Sequence, residues 1–262
     1  MGLPADRKRN LEIFYAFCRV VDDIADEIGP PPAVKYNELA RWRGLLSDPD
    51  QSPPQGELEQ EVIQLIRNPD IDRDAMTGII DGCATDVQPR LYGTFDELLT
   101  YTYQVASCVG IVSATLFGAG PDARSYAISL GHALQITNIL RDVGEDWEKE
   151  KRIYLPQEDM KRFHYSPEDL SNGVHNASFV ELMSMERDRA KKYYREAAER
   201  YSRLSAHDRK ALAPAVAMHR IYEDILDKMH GDGYQVFCRR YKLSKIKKIF
   251  HLLCAWRQAG KP

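Results

Sequence analysis

The sequence predicts an all-α protein. Apolar side chains recur at the helical period, as at Leu11, Phe14, Phe17 and Val21 near the N-terminus. No run of alternating β-branched residues is long enough to predict a strand. Because 44% of the 262 residues are hydrophobic, the chain can bury a large core, and we expect a single domain over residues 1–262.

The predicted helices follow one another with short interruptions. The first ends where Gly29 is followed by three consecutive prolines, which cannot continue a helix. The stretch from Ser47 to Gly56 also contains three prolines and is predicted as a loop. In order, the predicted helices cover residues 6–28, 33–46, 57–67, 72–88, 95–117, 122–149, 178–204, 207–230 and 242–258.

The composition excludes several classes of protein. A formal net charge of -3 gives no general attraction to nucleic acid. The five cysteines are odd in number and widely spread, which indicates reduced thiols and a cytoplasmic location rather than a disulfide framework. No apolar run approaches the roughly 20 residues of a membrane-spanning helix, and no signal sequence is recognised at the N-terminus.

Two short acidic segments carry most of the functional information. Asp22 and Asp26 in the first predicted helix, and Asp142 and Asp146 in the helix at 122–149, are each spaced i and i+4. On a helix this spacing places both carboxylates on one face, where like charges repel unless a cation or a basic group balances them. The two pairs therefore predict two helices that face each other across a metal site.

The second pair belongs to a longer polar stripe on its helix. Gln135, Asn138, Asp142 and Asp146 follow one another at steps of three, four and four. Such a stripe on an amphipathic helix usually faces water. Asn, Gln and Asp are poorer surface residues in a helix than Glu and Lys, so we expect this stripe to line a buried polar pocket. The same argument applies to the first acidic pair.

Carboxylates and basic residues together indicate a diphosphate site. Mg2+, with Mn2+ as an alternative, takes one or two carboxylates and completes its shell with water and substrate phosphate oxygens. Arg19, Arg141 and Arg152 lie close in sequence to the acidic segments, and Arg220 stands on a later helix. Guanidinium groups bind phosphate in bidentate geometry. Each arginine taken alone is more typical of a surface salt bridge, and only the combination indicates phosphate.

Such a site suits a reaction in which diphosphate departs from a carbon atom. Metal ions and arginines stabilise the leaving group, and a dry pocket protects the carbocation that remains. The sequence contains no Walker loop, no Gly-x-Ser-x-Gly elbow and no histidine spacing typical of a metal site. These absences argue against a P-loop hydrolase, a serine hydrolase and a histidine-bound metal.

Several segments resemble the squalene/phytoene synthase family, in the order in which that family carries them. The stretch from Phe14 to Glu27 resembles its first aspartate-rich motif, and the stretch from Leu130 to Asp146 resembles its second. The likeness extends from Leu3 to about Lys248. The other matching segments are residues 94–110, 152–156 and 220–227.

The resemblance implies an isoprenoid-synthase helical bundle with a central cavity and a head-to-head condensation of two prenyl diphosphates. One molecule ionises, the double bond of the other attacks the allylic cation, and a cyclopropylcarbinyl diphosphate forms.

The resemblance also implies roles for particular residues. The expected Mg2+ ligands are Asp22, Asp26, Asp142 and Asp146. The residues expected to contact diphosphate or metal are Arg19, Asn138, Arg141, Arg152 and Arg220. Those expected near the reacting carbons are Tyr103, Gln135, Tyr154 and Tyr222.

Within these sets, a catalytic role is expected for Tyr103, Arg141, Tyr154 and Tyr222. For each tyrosine the alternative is core packing with a hydrogen-bonded hydroxyl. One feature departs from the family, whose members usually carry a further helix before the residues that stand here as Leu3 and Pro4. Without that helix one wall of the cavity would be open.

The choice of substrate rests on weaker signals. Residues 217–222 and 233–237 resemble bacterial members that form presqualene diphosphate or squalene, so we expect two farnesyl diphosphates as substrates. Phytoene synthesis from two geranylgeranyl diphosphates and dehydrosqualene synthesis are the alternatives within the family. The members that complete the reduction to squalene use NADPH, and the sequence leaves both this cofactor and the oligomeric state open.

Two other functions fit the sequence less well. A non-catalytic scaffold of the same fold would be expected to lose its metal carboxylates, whereas both aspartate pairs are present. A conventional terpene cyclase would share only the metal chemistry.

The stretch at 242–253 is basic and amphipathic, which suits either peripheral membrane contact or a terminal helix packed on the core, and we favour the second.

Overall fold

A computed structural model describes residues 4–244 together with His251 and Ala255. Every regular element among them is helical, and a single isolated bridge between Leu91 and Ile153 is their only β-type pairing. The predicted all-α fold class is therefore confirmed. The helices are α1 (Ala5–Asp26), α2 (Pro32–Ser47), α3 (Glu57–Ile66), α4 (Arg73–Asp86), α5 (Phe95–Thr102), α6 (Cys108–Phe117), α7 (Arg124–Glu150), α8 (Gln157–Arg162), α9 (Pro167–Ser171), α10 (Ala177–Ser202), α11 (Ala206–Ala211) and α12 (Ala213–Gly231).

Most predicted helices are confirmed to within a few residues at their ends. The predicted helix at 95–117 is continuous, but a π-helical turn at Tyr103–Ser107 interrupts its α-helical geometry between α5 and α6. The prediction of one helix over 207–230 is wrong. Leu212 separates α11 from α12, and Pro214 occupies the first turn of α12, where its missing N–H is not needed.

Three further differences concern the ends and connections. The first helix ends at Asp26 rather than at residue 28, three residues before Gly29, which adopts a φ of 122°. The helices α8 and α9 were not predicted, because five or six residues are too few to show a period. The predicted helix at 242–258 lies mostly outside the described residues.

The helix α7 is the centre of the fold. It packs against α10, α6, α12 and the π-helical turn. Its apolar stripe, which includes Ala133, Ile136 and Leu140, is fully buried. At Gly131 the π-helical turn approaches so closely that an added Cβ atom would lie 2.4 Å from the Cα atom of Ser107. No described helix combines the length and the hydropathy that a membrane crossing needs.

Candidate active site

Arg152 connects the two acidic segments. Its Nη2 atom donates a hydrogen bond to Oδ1 of Asp26 on α1 at 2.9 Å, and its Nη1 atom pairs with Glu150 at the end of α7. The side chain of Arg152 is only 10% exposed, whereas those of Asp26 and Glu150 are 38% and 34% exposed, so water reaches the carboxylate side of both ion pairs. One guanidinium group therefore holds the end of α1 beside the end of α7.

The second aspartate pair is partly buried, as the polar stripe on α7 predicted. Arg141 binds both carboxylate oxygens of Asp142, and neither side chain is more than slightly exposed. Burial raises the pKa of Asp146 to about 8, and the negative charges of Asp142 and Glu150 add to this effect. A divalent cation would offset this accumulation of like charge.

The first pair differs, and the expectation that it lies in a buried pocket is wrong. The side chains of Asp22 and Asp26 are 53% and 38% exposed. Arg19 forms ion pairs along α1 with Asp22 at 3.4 Å and with Asp23 at 2.6 Å. The local spacing of charges is the same in both pairs, and only the packing of the surrounding helices makes one of them more exposed than the other.

Asp86, the last residue of α4, is a part of the site that the sequence did not reveal. Its Oδ1 atom accepts a hydrogen bond from the hydroxyl of Tyr154 at 3.1 Å, and its Oδ2 atom accepts one from Tyr101 at 2.7 Å. Burial raises the pKa of Asp86 to about 6, against the charge of Arg152 and the two hydroxyl donors. The residues around Asp86 form no spacing pattern that would have singled it out.

A cavity of about 340 Å3 extends from the polar end of α7 into the bundle, between α6, α7 and α12. Gln135, Asn138 and Tyr222 line its polar end, and the ring of Tyr222 lies 5.9 Å from Cζ of Arg141. Small apolar residues line its length. Phe117, Tyr126, Leu212 and Pro214 line its far end.

A second groove, of about 430 Å3, lies between α1 and α6 beside this cavity. Val109 and Ser113 on α6 line both spaces. On the α1 side its lining includes Phe14, Tyr15 and Cys18. The helix α6 therefore presents apolar surface to two neighbouring spaces, both large enough for a hydrocarbon chain.

Two buried polar atoms near the aspartates have no hydrogen-bond partner among the described residues. They are Oδ1 of Asn138, whose amide nitrogen donates to Gln135 at 3.2 Å, and Nε of Arg152. An unsatisfied acceptor and an unsatisfied donor are costly when buried, unless a ligand or water completes them. An amide oxygen suits a hard cation, and a guanidinium N–H suits a phosphate oxygen.

The residues present fit Mg2+ that is shared with a diphosphate. Within the described part of the chain, no three carboxylate, thiol or imidazole groups converge on one point as a metal site. Mg2+ does not require such a cage, because one or two carboxylates are enough when phosphate oxygens and water supply the other positions. Asp22, Asp26 and Asp146, with the free oxygen of Asn138, are donors of the right chemistry.

Two residues that the family resemblance placed in the site lie elsewhere. The side chain of Tyr103 hydrogen-bonds with Arg124 at the start of α7, on the side away from the aspartates. Burial raises the pKa of Tyr201, and Arg220 lies near enough to that hydroxyl to oppose the rise together with Arg209. Neither residue lines the cavity, so their expected roles stay predictions without support from their positions.

Arg240 is a basic residue that the sequence analysis missed. Its Nε atom lies 3.3 Å from Oδ1 of Asp142 and 3.2 Å from Oε2 of Glu145. It belongs to no recognisable motif, and it lies too far along the chain from Asp142 for a spacing pattern to link the two residues. Asp142 is thus held between two guanidinium groups, Arg141 and Arg240, which a diphosphate would also attract.

Comparison with known proteins gives the same family over nearly the whole chain. The family model described as squalene/phytoene synthase matches residues 1–247. A 15-cis-phytoene synthase of Synechocystis sp. is 37% identical over 98% of this chain and 79% of its own length. The 15-cis-phytoene synthase of Synechococcus elongatus is 33% identical over 98% and 86%. A crystal structure of a dehydrosqualene synthase in complex with a ligand has a TM-score of 0.82 and 27% identity, covering 98% of this chain and 88% of that chain.

Proposed function

The chain belongs to the squalene/phytoene synthase family, and we propose that it condenses two geranylgeranyl diphosphates head to head to form phytoene. The observation that carries this choice of substrate is the similarity to two phytoene synthases at 37% and 33% identity. The local resemblances at 217–222 and 233–237 had favoured farnesyl diphosphate. A similarity that covers 98% of the chain outweighs them.

The length of the cavity supports the longer substrate. Its lining on α7 runs from Asn138 to Tyr126, a span of 12 residues (138 minus 126) that corresponds to roughly 18 Å of helix. With carbon–carbon bonds of about 1.5 Å, an extended geranylgeranyl chain is roughly 19 Å long and a farnesyl chain roughly 14 Å. The longer chain would reach from the polar end to Tyr126.

The side chains at the polar end would bind and orient the diphosphate. Arg152 already contacts Asp26 and Glu150, and its unpartnered Nε–H can donate to a phosphate oxygen. Arg141, next to Tyr222, supplies a second guanidinium group at the mouth of the cavity. When bound by the aspartates, Mg2+ would neutralise the charge that develops on the departing diphosphate. The apolar walls between α6, α7 and α12 would keep water from the carbocation.

A second candidate is the condensation of two farnesyl diphosphates to dehydrosqualene or squalene. The observation in its favour is the structural similarity to a dehydrosqualene synthase, at a TM-score of 0.82. This candidate also accommodates the resemblances at 217–222 and 233–237. If the product is squalene, NADPH is the reductant that the reaction requires.

The test is incubation of the purified protein with Mg2+ and either geranylgeranyl or farnesyl diphosphate, with and without NADPH, followed by identification of the products by mass. We expect phytoene from geranylgeranyl diphosphate, independent of NADPH. Asp146→Asn should abolish turnover, whereas Asp122→Asn, which alters an exposed carboxylate at the other end of α7, should not. Consumption of farnesyl diphosphate alone would favour the second candidate, and consumption of neither would refute both.

Peripheral membrane contact is a separate proposal, and it stands second to packing of the same segment on the core. It rests on the basic, amphipathic sequence at 242–253, which lies mostly outside the described residues. An apolar product would be unloaded most easily at a lipid surface. Co-sedimentation with anionic vesicles should decrease as salt increases, and an absence of binding at low salt would remove the idea.

A further inference from the structure

Asp86 makes contacts through both its side-chain carboxylate and its backbone carbonyl. Its carboxylate accepts hydrogen bonds from Tyr154 and Tyr101, whose hydroxyl oxygens are 3.3 Å apart. Its backbone carbonyl accepts a hydrogen bond from Nη2 of Arg152 at 2.8 Å. The same Nη2 atom also donates to Asp26. A single residue at the end of α4 therefore contacts both Arg152 and Tyr154.

The backbone geometry explains how one residue can hold two side chains. Arg152 and Tyr154 are separated by Ile153, which forms the isolated bridge with Leu91. In extended backbone, side chains at i and i+2 point to the same side, so Arg152 and Tyr154 both face the end of α4. The segment after α7 is fixed against residues 91–93 by further hydrogen bonds, from Gln157 N–H to the Tyr92 carbonyl and from Glu158 N–H to the Gly93 carbonyl.

The three aromatic rings around Asp86 make this arrangement rigid. The ring centroids of Tyr101 and Tyr154 are 5.1 Å apart, and that of Tyr92 is 5.5 Å from Tyr101 and 6.0 Å from Tyr154. Tyr92 and Tyr101 are almost completely buried. Packing alone would hold the rings, but it would not require a carboxylate. Burying an ionisable group in such surroundings usually costs more free energy than burying an apolar residue of similar volume. A role for its hydrogen bonds would explain why a carboxylate stands at this position.

We infer that Asp86 is a positioning residue, which aims the hydroxyl of Tyr154 through its carboxylate and the guanidinium of Arg152 through its carbonyl oxygen. Tyr154 and Arg152 would in turn act on the substrate, so the inference rests on the proposed function. Because Asp86 holds Tyr154 and Arg152 through different groups, a substitution can affect the first contact and spare the second. Changing the side chain of Asp86 releases Tyr154, whereas the carbonyl bond that orients Arg152 remains.

The first test is the Asp86→Asn variant. It is isosteric and removes a carboxylate from surroundings that disfavour charge, so it should fold. The amide has one acceptor oxygen for two hydroxyl donors, and loss of one charge-assisted hydrogen bond corresponds to roughly a 10- to 100-fold effect. We expect kcat to fall by about 10-fold or more while KM for the prenyl diphosphate changes less than about twofold, because Arg152 stays in place. Asp81→Asn is the matched control, since Asp81 lies on the same helix in an ion pair with Arg43 at the surface.

A double-mutant cycle with Tyr154→Phe distinguishes positioning from a general structural role. If Asp86 acts through Tyr154, adding Asp86→Asn to the Tyr154→Phe variant should reduce kcat by less than about threefold further. Multiplication of the two separate losses would overturn the inference, and so would an Asp86→Asn variant as active as Asp81→Asn. If Asp86→Asn failed to fold, Asp86→Glu, which keeps the charge but shifts it by one methylene, would replace it in the same cycle.

A crystal structure of the same variant keeps this inference separate from the proposed function. The hydroxyl of Tyr154 should move by about 1 Å or more, while the distance from Arg152 to the carbonyl of residue 86 stays near 2.8 Å. An unmoved Tyr154 would overturn the positioning role even if the enzyme is active. A wild-type protein that consumes neither prenyl diphosphate would refute the proposed function, and the crystal structure would still decide the role of Asp86.

Discussion

Replacing Arg189 with methionine would leave two buried carboxyl groups without their cation. On α10, Arg189 donates to both oxygens of Asp159, at 2.5 and 3.1 Å, and to Oε1 of Glu186 at 2.8 Å. Asp159 and Glu186 are only 4% and 1% exposed. The guanidinium also stacks on the ring of Phe95, with Cζ 4.0 Å from its centroid. This cluster joins α8 to α10 and to the start of α5.

The magnitude follows from the burial of the two acids. Removal of one partner from a buried ion pair costs about 3 to 5 kcal/mol, because the remaining charge loses its compensation. Arg189 is itself partly exposed, which lets water reach its side of the cluster and places the expected loss near the lower limit, at about 3 kcal/mol. Methionine keeps apolar contact with Phe95, so the loss would come mainly from the charges.

The loss should grow with pH. Burial raises the pKa of Glu186 to about 8, although Arg189 lowers it. Because this pKa is above its unfolded value of about 4.3, the stability contributed by the protonated form is fully present below pH 4.3 and is lost as pH rises through about 8. Without Arg189 the pKa rises further, so the destabilisation should be larger at pH 9 than at pH 6, by at most about 1.4 kcal/mol, because pH 9 lies only about one pH unit above the wild-type pKa.

The assay is urea denaturation followed by circular dichroism, with the free energy of unfolding measured at pH 6 and pH 9. Arg203→Met is the control, because Arg203 forms an exposed i,i+4 pair with Glu199 near the end of the same region and should change stability by less than about 0.5 kcal/mol. The reasoning would be refuted if Arg189→Met lost less than about 1 kcal/mol at pH 9, or if its loss were greater at pH 6 than at pH 9.

Two further predictions concern the cavity and the centre of the fold. Tyr126→Leu shortens the side chain at the far end of the cavity, so the variant should convert a C25 prenyl diphosphate that the wild type rejects. The products are identified by mass, and rejection of the C25 substrate by both proteins would contradict the role of Tyr126. Gly131→Ala places a Cβ atom 2.4 Å from Cα and 2.6 Å from N of Ser107, and these backbone atoms cannot move aside cheaply. The free energy of unfolding, measured by urea denaturation, should therefore fall by about 1 to 3 kcal/mol. Gly231→Ala, where nothing lies within 4 Å, should not destabilise, and an equal loss in both would contradict the argument.

The long helices could be predicted from the sequence because burial imposes their period. The stripe of Ala133, Ile136 and Leu140 was visible in the sequence and is fully buried in α7. The polar stripe on the same helix was also visible, and it lines the mouth of the cavity at Gln135 and Asn138. A pattern within one helix can be recognised without knowing what the helix contacts.

The rest of the site depends on contacts between distant segments. Asp86 joins the site through its bonds to Tyr101, Tyr154 and Arg152, none of which is near it on one helix face. Tyr103 is the first residue of the π-helical turn, where the extra residue per turn breaks the α-helical period by which side-chain directions are inferred. Its side chain contacts Arg124 rather than the cavity. The exposure of Asp22 likewise depends on which helices cover α1, a question that its own spacing does not answer.

We propose that the two aspartate pairs and Arg152 form one site for diphosphate and Mg2+. Calorimetric titration of the wild-type protein with inorganic pyrophosphate, in the presence and absence of Mg2+, tests it without depending on the prenyl chain. We expect binding that requires Mg2+ and that is weakened at least about 10-fold by Asp146→Asn and by Arg152→Gln, but not by Asp122→Asn. Pyrophosphate binding that is equally strong without Mg2+, or unchanged in the Asp146 and Arg152 variants, would contradict the claim.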